Sequence, residues 1–196
     1  RDRSPSRGLG DVYKRQDQCC AAILECWSPA EAGAQAICDV LLGSYNPGGK
    51  LPVSVAYNAG QVPVYYGHPW GSGWHQSESI GFPDYVDCPH RPRYPFGFGL
   101  SYTSFAYADL EISREEVPAG ESVEIAFTVE NTGPVPGDEV AQLYISDVYA
   151  SMTRPVKELA GFARVHLKPG EKKRLAFTLH TSQPAQPATR GRSNSG

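Results

Sequence analysis

A long apolar run is missing from this sequence. No stretch approaches the roughly 20 consecutive apolar residues that a membrane-spanning helix needs, which excludes such a helix. A charge imbalance is missing too. Eighteen Lys and Arg stand against 21 Asp and Glu, for a net charge of −3, so there is no electrostatic reason to expect a nucleic-acid partner. The cysteines lack metal-ligand spacing: Cys19 and Cys20 are adjacent, with no second pair to complete a site. Cys26, Cys38 and Cys88 bring the count to 5, an odd number crowded into the first half, which is not a disulfide framework. Free, mostly buried thiols are the expectation. The opening residues show no signal-peptide pattern, which says little if the native start lies further upstream. A cytoplasmic and a secreted location both stay open.

What is present points to short elements. The 196 residues suffice for one domain or two small ones, and 40% hydrophobic content allows a packed core. Seventeen prolines and 20 glycines favour short strands and turns over long helices.

Residues 1–16 are basic, polar and without periodicity, and Asp11-Val12-Tyr13-Lys14-Arg15-Gln16 looks like a translated transposon-end adapter, so they read as a non-native tail. Ala21-Ala22-Ile23-Leu24 is a short apolar run, consistent with a buried parallel strand. Ser28-Pro29-Ala30-Glu31 then carries a capping-box signature, with Ser28 at the N-cap, Pro29 at the first helical position and Glu31 three residues after the cap. Gly33, Ile37, Val40 and Leu41 continue at helical spacing, and Gly43 supplies the stop. Asn46-Pro47-Gly48-Gly49 is a turn. Leu51–Val55 and Val62–Tyr66 are β-prone, with prolines that suggest edges. Gly67–Arg93 is a long irregular stretch carrying Trp70, Trp74, His75, Glu78, Asp84, Tyr85, Asp87 and His90, and a loop of that length is functional or disordered.

Period-two alternation follows. Val123, Ile125, Phe127 and Val129 alternate with polar residues, as do Ala141, Leu143 and Ile145, and Leu175, Phe177 and Leu179. Phe162, Val165 and Leu167 form a rougher version, with Gly161 marking an expected bulge. Turn signals at Pro118-Ala119-Gly120, Asn131-Thr132-Gly133, Pro136-Gly137 and Lys168-Pro169-Gly170 separate them, the pattern of an antiparallel sandwich. From Pro184 onward the alternation stops in a Pro, Ala, Ser, Gly and Arg tail.

Between these halves lies Tyr94-Pro95-Phe96-Gly97-Phe98-Gly99-Leu100-Ser101-Tyr102, which reads as a buckle joining two bodies, with Phe96 or Phe98 buried. It resembles the segment that joins the second α/β domain of glycoside hydrolase family 3 enzymes to their fibronectin type III-like domain. Leu42-Gly43-Ser44-Tyr45-Asn46-Pro47-Gly48-Gly49-Lys50-Leu51-Pro52-Val53 is similar to the family's Gly-x-x-Asn-Pro-x-Gly-[Lys/Arg]-Leu-Pro-[Val/Ile] motif. Gly137-Asp138-Glu139-Val140-Ala141-Gln142-Leu143-Tyr144 and Arg154-Pro155-Val156-Lys157-Glu158-Leu159 are similar to its fibronectin-like domain. The resemblance runs from about Asp17 to Ser182. It implies an α+β fragment: the remnant of an α/β sandwich domain followed by an incomplete antiparallel β-sandwich of fibronectin type III-like form. The expected organisation is a non-native tail at 1–16, the C-terminal remnant of the α/β domain at 17–66, an irregular loop and interdomain linker at 67–103, a truncated fibronectin type III-like domain at 104–182 and a disordered tail at 183–196.

The resemblance also implies a function. Family 3 enzymes are similar to other retaining glycosidases in using one carboxyl group as nucleophile and a second as general acid/base. The nucleophile lies in an N-terminal barrel domain and the acid/base glutamate usually lies upstream in the α/β domain, and no residue here matches either motif. The expectation is a C-terminal fragment of a β-glucosidase or β-xylosidase acting on terminal non-reducing β-linked sugars, inactive by itself, with no catalytic residue of its own. The intact parent would take an oligosaccharide or aryl glycoside substrate. The implied partners are the missing barrel and α/β domains, with no cofactor, metal, nucleic acid or membrane. Trp70, Trp74 and His75 are the candidate sugar-binding residues, since flat aromatic faces stack on pyranose rings; the competing reading has the tryptophans pin a loop. Glu31 is explained by capping, Glu25 by solvation or a salt bridge, and Asp138-Glu139 and Lys157-Glu158 by solvated strand ends. Arg154-Pro155 fixes a loop. The rival functions are a non-catalytic fibronectin-like carbohydrate- or protein-interaction module and a regulatory or structural pseudo-enzyme.

Overall fold

The computed structural model describes residues 19–69, 89, 91–149 and 153–181. The chain divides into two compact units. One comprises Arg1–Ser44, Lys50–Gly99 and Asp147–Val156; the other comprises Tyr45–Gly49, Leu100–Ser146 and Lys157–Gly196.

The first unit contains the α-helix α1 (Gly33–Leu41) among its described residues. The expected capping box does not form. Ala32 is the N-cap without a side-chain bond, and Gly33 N donates to Ala30 O at 2.8 Å, so Ser28–Glu31 precede the helix as a turn. Ser28 is thus too far upstream to reach the first helical amides. The stop is as expected: Gly43 has φ +77° and donates to Val40 O at 3.0 Å, closing the last turn in the left-handed conformation that glycine tolerates. Ala21–Leu24 is not a strand and is exposed. A strand exists only through a ladder with a neighbour, and no partner runs beside it among the described residues. The expected burial of the thiols fails for the same reason: Cys19, Cys20 and Cys38 are exposed and Cys26 half-buried, all free, while Cys88 lies outside the described residues.

Leu51–Val55 and Val62–Tyr66 are not strands either. The former makes one isolated bridge, Val55 to Tyr94, and the latter follows a single 3-10 turn at Ala59–Gln61. Pro52, Pro63 and Pro95 each remove an amide donor from these segments, and a ladder cannot extend past them.

The second unit is a β-sandwich of five strands among the described residues: β1 (Phe105–Ile112), β2 (Ser122–Asn131), β3 (Gly137–Ile145), β4 (Glu158–Leu167) and β5 (Lys172–His180). All pairings are antiparallel, in a three-stranded sheet of order β1-β2-β5 and a two-stranded sheet β3-β4. The inward residues Phe127, Val129 and Phe177 of one sheet meet Ala141, Val165 and Leu167 of the other to form the core. Burying a side chain the size of Leu167 stabilises by about 1.5–3 kcal/mol, and Leu167 and Val129 are 0% exposed.

Two irregularities interrupt the alternation. In β1 the apolar positions run Phe105, Tyr107, then Leu110, Ile112, a slip of one residue. Asp109 has φ +54° and the register with β2 shifts between Ala108 and Glu111, so a bulge absorbs the slip. In β4 the expected bulge is present, since Leu143 pairs with Gly161 while Tyr144 pairs with Leu159. Phe162, read as inward from its neighbours, is instead 46% exposed, and Gly161 is the buried residue. A Cβ on Gly161 would lie 3.1 Å from the Phe177 ring, which occupies the place a side chain would take.

Asn131, 0% exposed, closes one end of the core. Its Oδ1 accepts from Thr103 Oγ1 at 2.6 Å and Gly133 N at 3.1 Å, and its Nδ2 donates to Val135 O at 2.9 Å and Leu167 O at 3.0 Å. Every side-chain hydrogen-bonding position is filled, so this amide ties both sheets and two turns without an unpaired polar atom.

Candidate functional site

The candidate sugar-binding residues Trp70, Trp74 and His75 lie outside the described residues, as do Glu78, Asp84, Tyr85, Asp87 and His90. What the structure does describe is how both ends of their segment are held within the first unit. At the leading end, Val156 N donates to His68 O at 3.0 Å, and Pro69 bridges Pro155. Arg154-Pro155 therefore fixes a loop, as expected from sequence, and that loop is the one leading into Trp70. At the trailing end, Gln61 Nε2 donates to Pro89 O at 2.7 Å and to Arg91 O at 2.9 Å, while its Oε1 accepts from Tyr57 N at 2.7 Å. Gln61 is buried and its turn is closed by Asn58 Oδ1, which accepts Gln61 N at 3.1 Å. Sequence reasoning passed over Gln61; Asn58-Ala59-Gly60, an Asx-turn sequence, was the available signal.

Within the first unit the two family-like motifs pair with each other. Leu51 N donates to Phe98 O and Gly97 N to Leu51 O, both at 2.8 Å, and Val55 N donates to Tyr94 O at 2.8 Å. Lys50 Nζ reaches Gly99 O at 3.0 Å and Phe96 N reaches Ser54 Oγ at 3.2 Å. The rings stack in pairs: Tyr66 on Phe96 at 4.3 Å and Tyr94 on Phe98 at 5.4 Å, with Arg93 over Tyr57 at 5.1 Å. The expected burial of Phe96 or Phe98 is only half met. Phe96 is half-buried against Tyr66, and Phe98 is 37% exposed. The division between the units falls inside the buckle, after Gly99.

In the second unit two carboxylates expected to be solvated, Asp138 and Glu139, instead make structural contacts. Glu139 is 8% exposed and accepts from Tyr107 Oη at 2.9 Å, from β1 on the opposite sheet. Burial, the Glu139 charge and this bond together push the Tyr107 hydroxyl well above its ordinary range, so it stays a donor. Asp138 takes Arg164 Nε at 3.1 Å and Arg164 Nη2 on Oδ2, and His166 Nδ1 at 2.7 Å on Oδ1. Burial raises the Asp138 pKa, but bonds from Arg164 and His166 outweigh it and hold the carboxyl below the usual range. The same bond to Asp138 raises Arg164 further above its usual value. Lys157 is exposed, as a solvated strand end should be, and also lies over the Tyr144 ring at 5.0 Å in a cation–π contact. In the first unit Glu25 accepts Trp27 N at 3.1 Å, and Glu31 is exposed. Among the described residues no group of three or more His, Cys, Asp and Glu side chains is placed to hold a metal ion.

Residues 7–102 match the glycosyl hydrolase family 3 C-terminal domain, and residues 139–186 match the fibronectin type III-like domain. The chain belongs to glycoside hydrolase family 3. The first match begins ahead of Asp17, where the motifs become readable, and covers both the Asn46–Val53 motif and the buckle. The chain is 44% identical to a periplasmic beta-glucosidase of Salmonella typhimurium, over 84% of this chain and 22% of that protein. It is 42% identical to a beta-xylosidase of Formosa agariphila, over 81% of this chain and 21% of that protein. Among solved structures it is similar to a beta-glucosidase from Listeria innocua in complex with gluconolactone, with a TM-score of 0.79, 36% identity and coverage of 86% of this chain and 24% of that one. The chain thus spans about a fifth of the length of these curated relatives. Its fold is the expected one, with the end of an α/β sandwich domain before a fibronectin type III-like β fragment.

Proposed function

We propose that this chain is the C-terminal stretch of a retaining β-glycosidase that releases terminal non-reducing β-linked glucose or xylose. The observation that carries this reading is the two family matches in order along one chain, with relatives named for β-glucosidase and β-xylosidase activity. The chemistry needs two carboxyl groups about 5–5.5 Å apart, one forming a glycosyl-enzyme and the other trading a proton with the leaving oxygen and then with water. Among the described carboxylates, Glu25, Glu139 and Asp138 are bonded to an amide, a phenol and an Arg-His pair. This supports placing the catalytic pair in the barrel and upstream α/β domains that the resemblance implies, and it supports an isolated chain without turnover.

This chain's contribution would be a rim. Trp70 and Trp74 would offer faces to a sugar ring, and His75 a hydrogen bond to a hydroxyl. Support comes from the fixed ends of their segment, at Pro69–Pro155 and at Gln61. The test is hydrolysis of nitrophenyl β-glucoside and β-xyloside by the full-length protein and by this chain. The reading expects turnover with retained anomeric configuration from the former only, with KM raised more than kcat is lowered by Trp70→Ala. Turnover by the chain alone would overturn it, as would a full-length protein that binds glycans without hydrolysing them. The second result would favour the interaction-module alternative.

A further inference from the structure

The segment Tyr45–Gly49 leaves α1 behind and belongs to the sandwich unit. Its attachment is written in side chains. Asn46 Oδ1 accepts from Ser101 Oγ and from Tyr102 N, both at 2.8 Å, while Asn46 Nδ2 donates to Pro136 O at 3.0 Å. One amide thereby reads two separate stretches of the sandwich unit. Arg164 Nη2 donates to Tyr45 Oη at 2.7 Å, and Tyr45 Oη donates to Asp138 Oδ2 at 3.4 Å. The shapes fit as closely as the bonds. A Cβ on Gly48 would lie 2.6 Å from Asp138 O, and a Cβ on Gly137 would lie 2.5 Å from Asn46 Nδ2. Each surface presents a glycine where the other comes nearest, so only a backbone without a side chain can approach from either side.

We propose that Ser101–Tyr102, Pro136–Asp138 and Arg164 form a peptide-recognition surface for a Tyr-Asn-Pro-x-Gly segment, occupied in this chain by its own Tyr45–Gly49. Each side supplies what such a site requires: a convergent donor and acceptor set for one amide, a second anchor for a phenol, and a groove that rejects Cβ atoms. The ligand is identified by the asparagine and the second glycine, whereas Gly49, which meets nothing within 4 Å of its virtual Cβ, is not read. A covalently joined ligand sits at an effective concentration of order mM, so a free copy competes poorly with it until the internal copy is spoiled.

The test uses the full chain. A labelled peptide spanning Ser44–Lys50 is titrated against the wild-type chain, Asn46→Ala and Gly48→Ala, with fluorescence anisotropy as readout and circular dichroism as the check on the sandwich. Both substitutions damage the internal ligand and leave the receptor surface intact. The proposal expects saturable binding to both variants, at least about tenfold tighter than to wild type. A peptide carrying Asn46→Ala should not bind. Absence of binding to both variants, or equal binding to all three chains, would overturn it. So would loss of the folded β signal in both variants, because a docked ligand can leave without unfolding its receptor.

Discussion

Apolar side chains fare differently in the two units. In the sandwich unit Val123, Ile125, Phe127, Val129, Ala141, Val165, Leu167 and Phe177 are buried. In the other unit no described apolar side chain of α1 is buried, Leu41 is 68% exposed, and Ile23, Leu24 and Trp27 lie open as well. Hydrophobic content does not separate them; partner faces do. The sandwich supplies two inward faces from one stretch of chain, so alternation converts directly into burial. An α1 with a helical apolar stripe needs a sheet beneath it, and none of the described residues provides one. Among the described residues of Lys50–Gly99 the contacts are polar and aromatic: paired backbone, Gln61 and two stacked ring pairs.

The comparison breaks most easily in the core. Leu167→Ala should destabilise the sandwich by about 2–5 kcal/mol, and Leu41→Ala should change stability by no more than about 0.5 kcal/mol, both read from urea denaturation. Equal effects would erase the distinction. Asn131→Ala should cost about 1–3 kcal/mol by the same assay, because it strands the Leu167 carbonyl and the Thr103 hydroxyl without partners in a buried place. Phe96→Ala sharpens the description of the other unit. Its ring is half-buried and stacked, so the expected loss is about 1–2 kcal/mol and less than for a fully buried phenylalanine. A loss as large as that of Leu167→Ala would mean that the unit has a core after all.

The smallest expected effect is electrostatic. The folded Asp138 pKa lies below its ordinary value, so the folded chain binds that proton less readily than the unfolded one. Its stabilisation is complete above the unfolded pKa of about 3.9 and is lost as pH falls through the folded value. Arg164 is 57% exposed, which keeps the contribution modest. Urea midpoints measured between pH 2 and pH 6 should show a shallower acid slope in Asp138→Asn than in wild type, and identical slopes would remove Asp138 from the acid response.

The sandwich was legible because β2, β3 and β5 alternate without interruption. β1 was not read, since its bulge at Asp109 slips the apolar positions by one, and Phe162 was grouped with Val165 and Leu167 although its parity along β4 puts it on the opposite face. The α/β side misled for a different reason. Ala21–Leu24 has the composition of a strand, yet a strand is a property of two segments and only one of them is in view. Asp138 and Glu139 looked like solvated charges because sequence shows spacing along one strand and not what Tyr107, Arg164 and His166 bring from elsewhere. The role of Asn46 was out of reach for the same reason, although its motif was readable.

The most direct test is hydrogen–deuterium exchange on the intact chain, resolved by segment. The account predicts slow exchange in β2 and in the central residues of β3, β4 and β5, and exchange near the unprotected rate in Cys19–Leu42, including α1. Protection of α1 comparable to that of β2 in a monomeric chain would show that the α/β end folds on its own, and the contrast between the two units would fall.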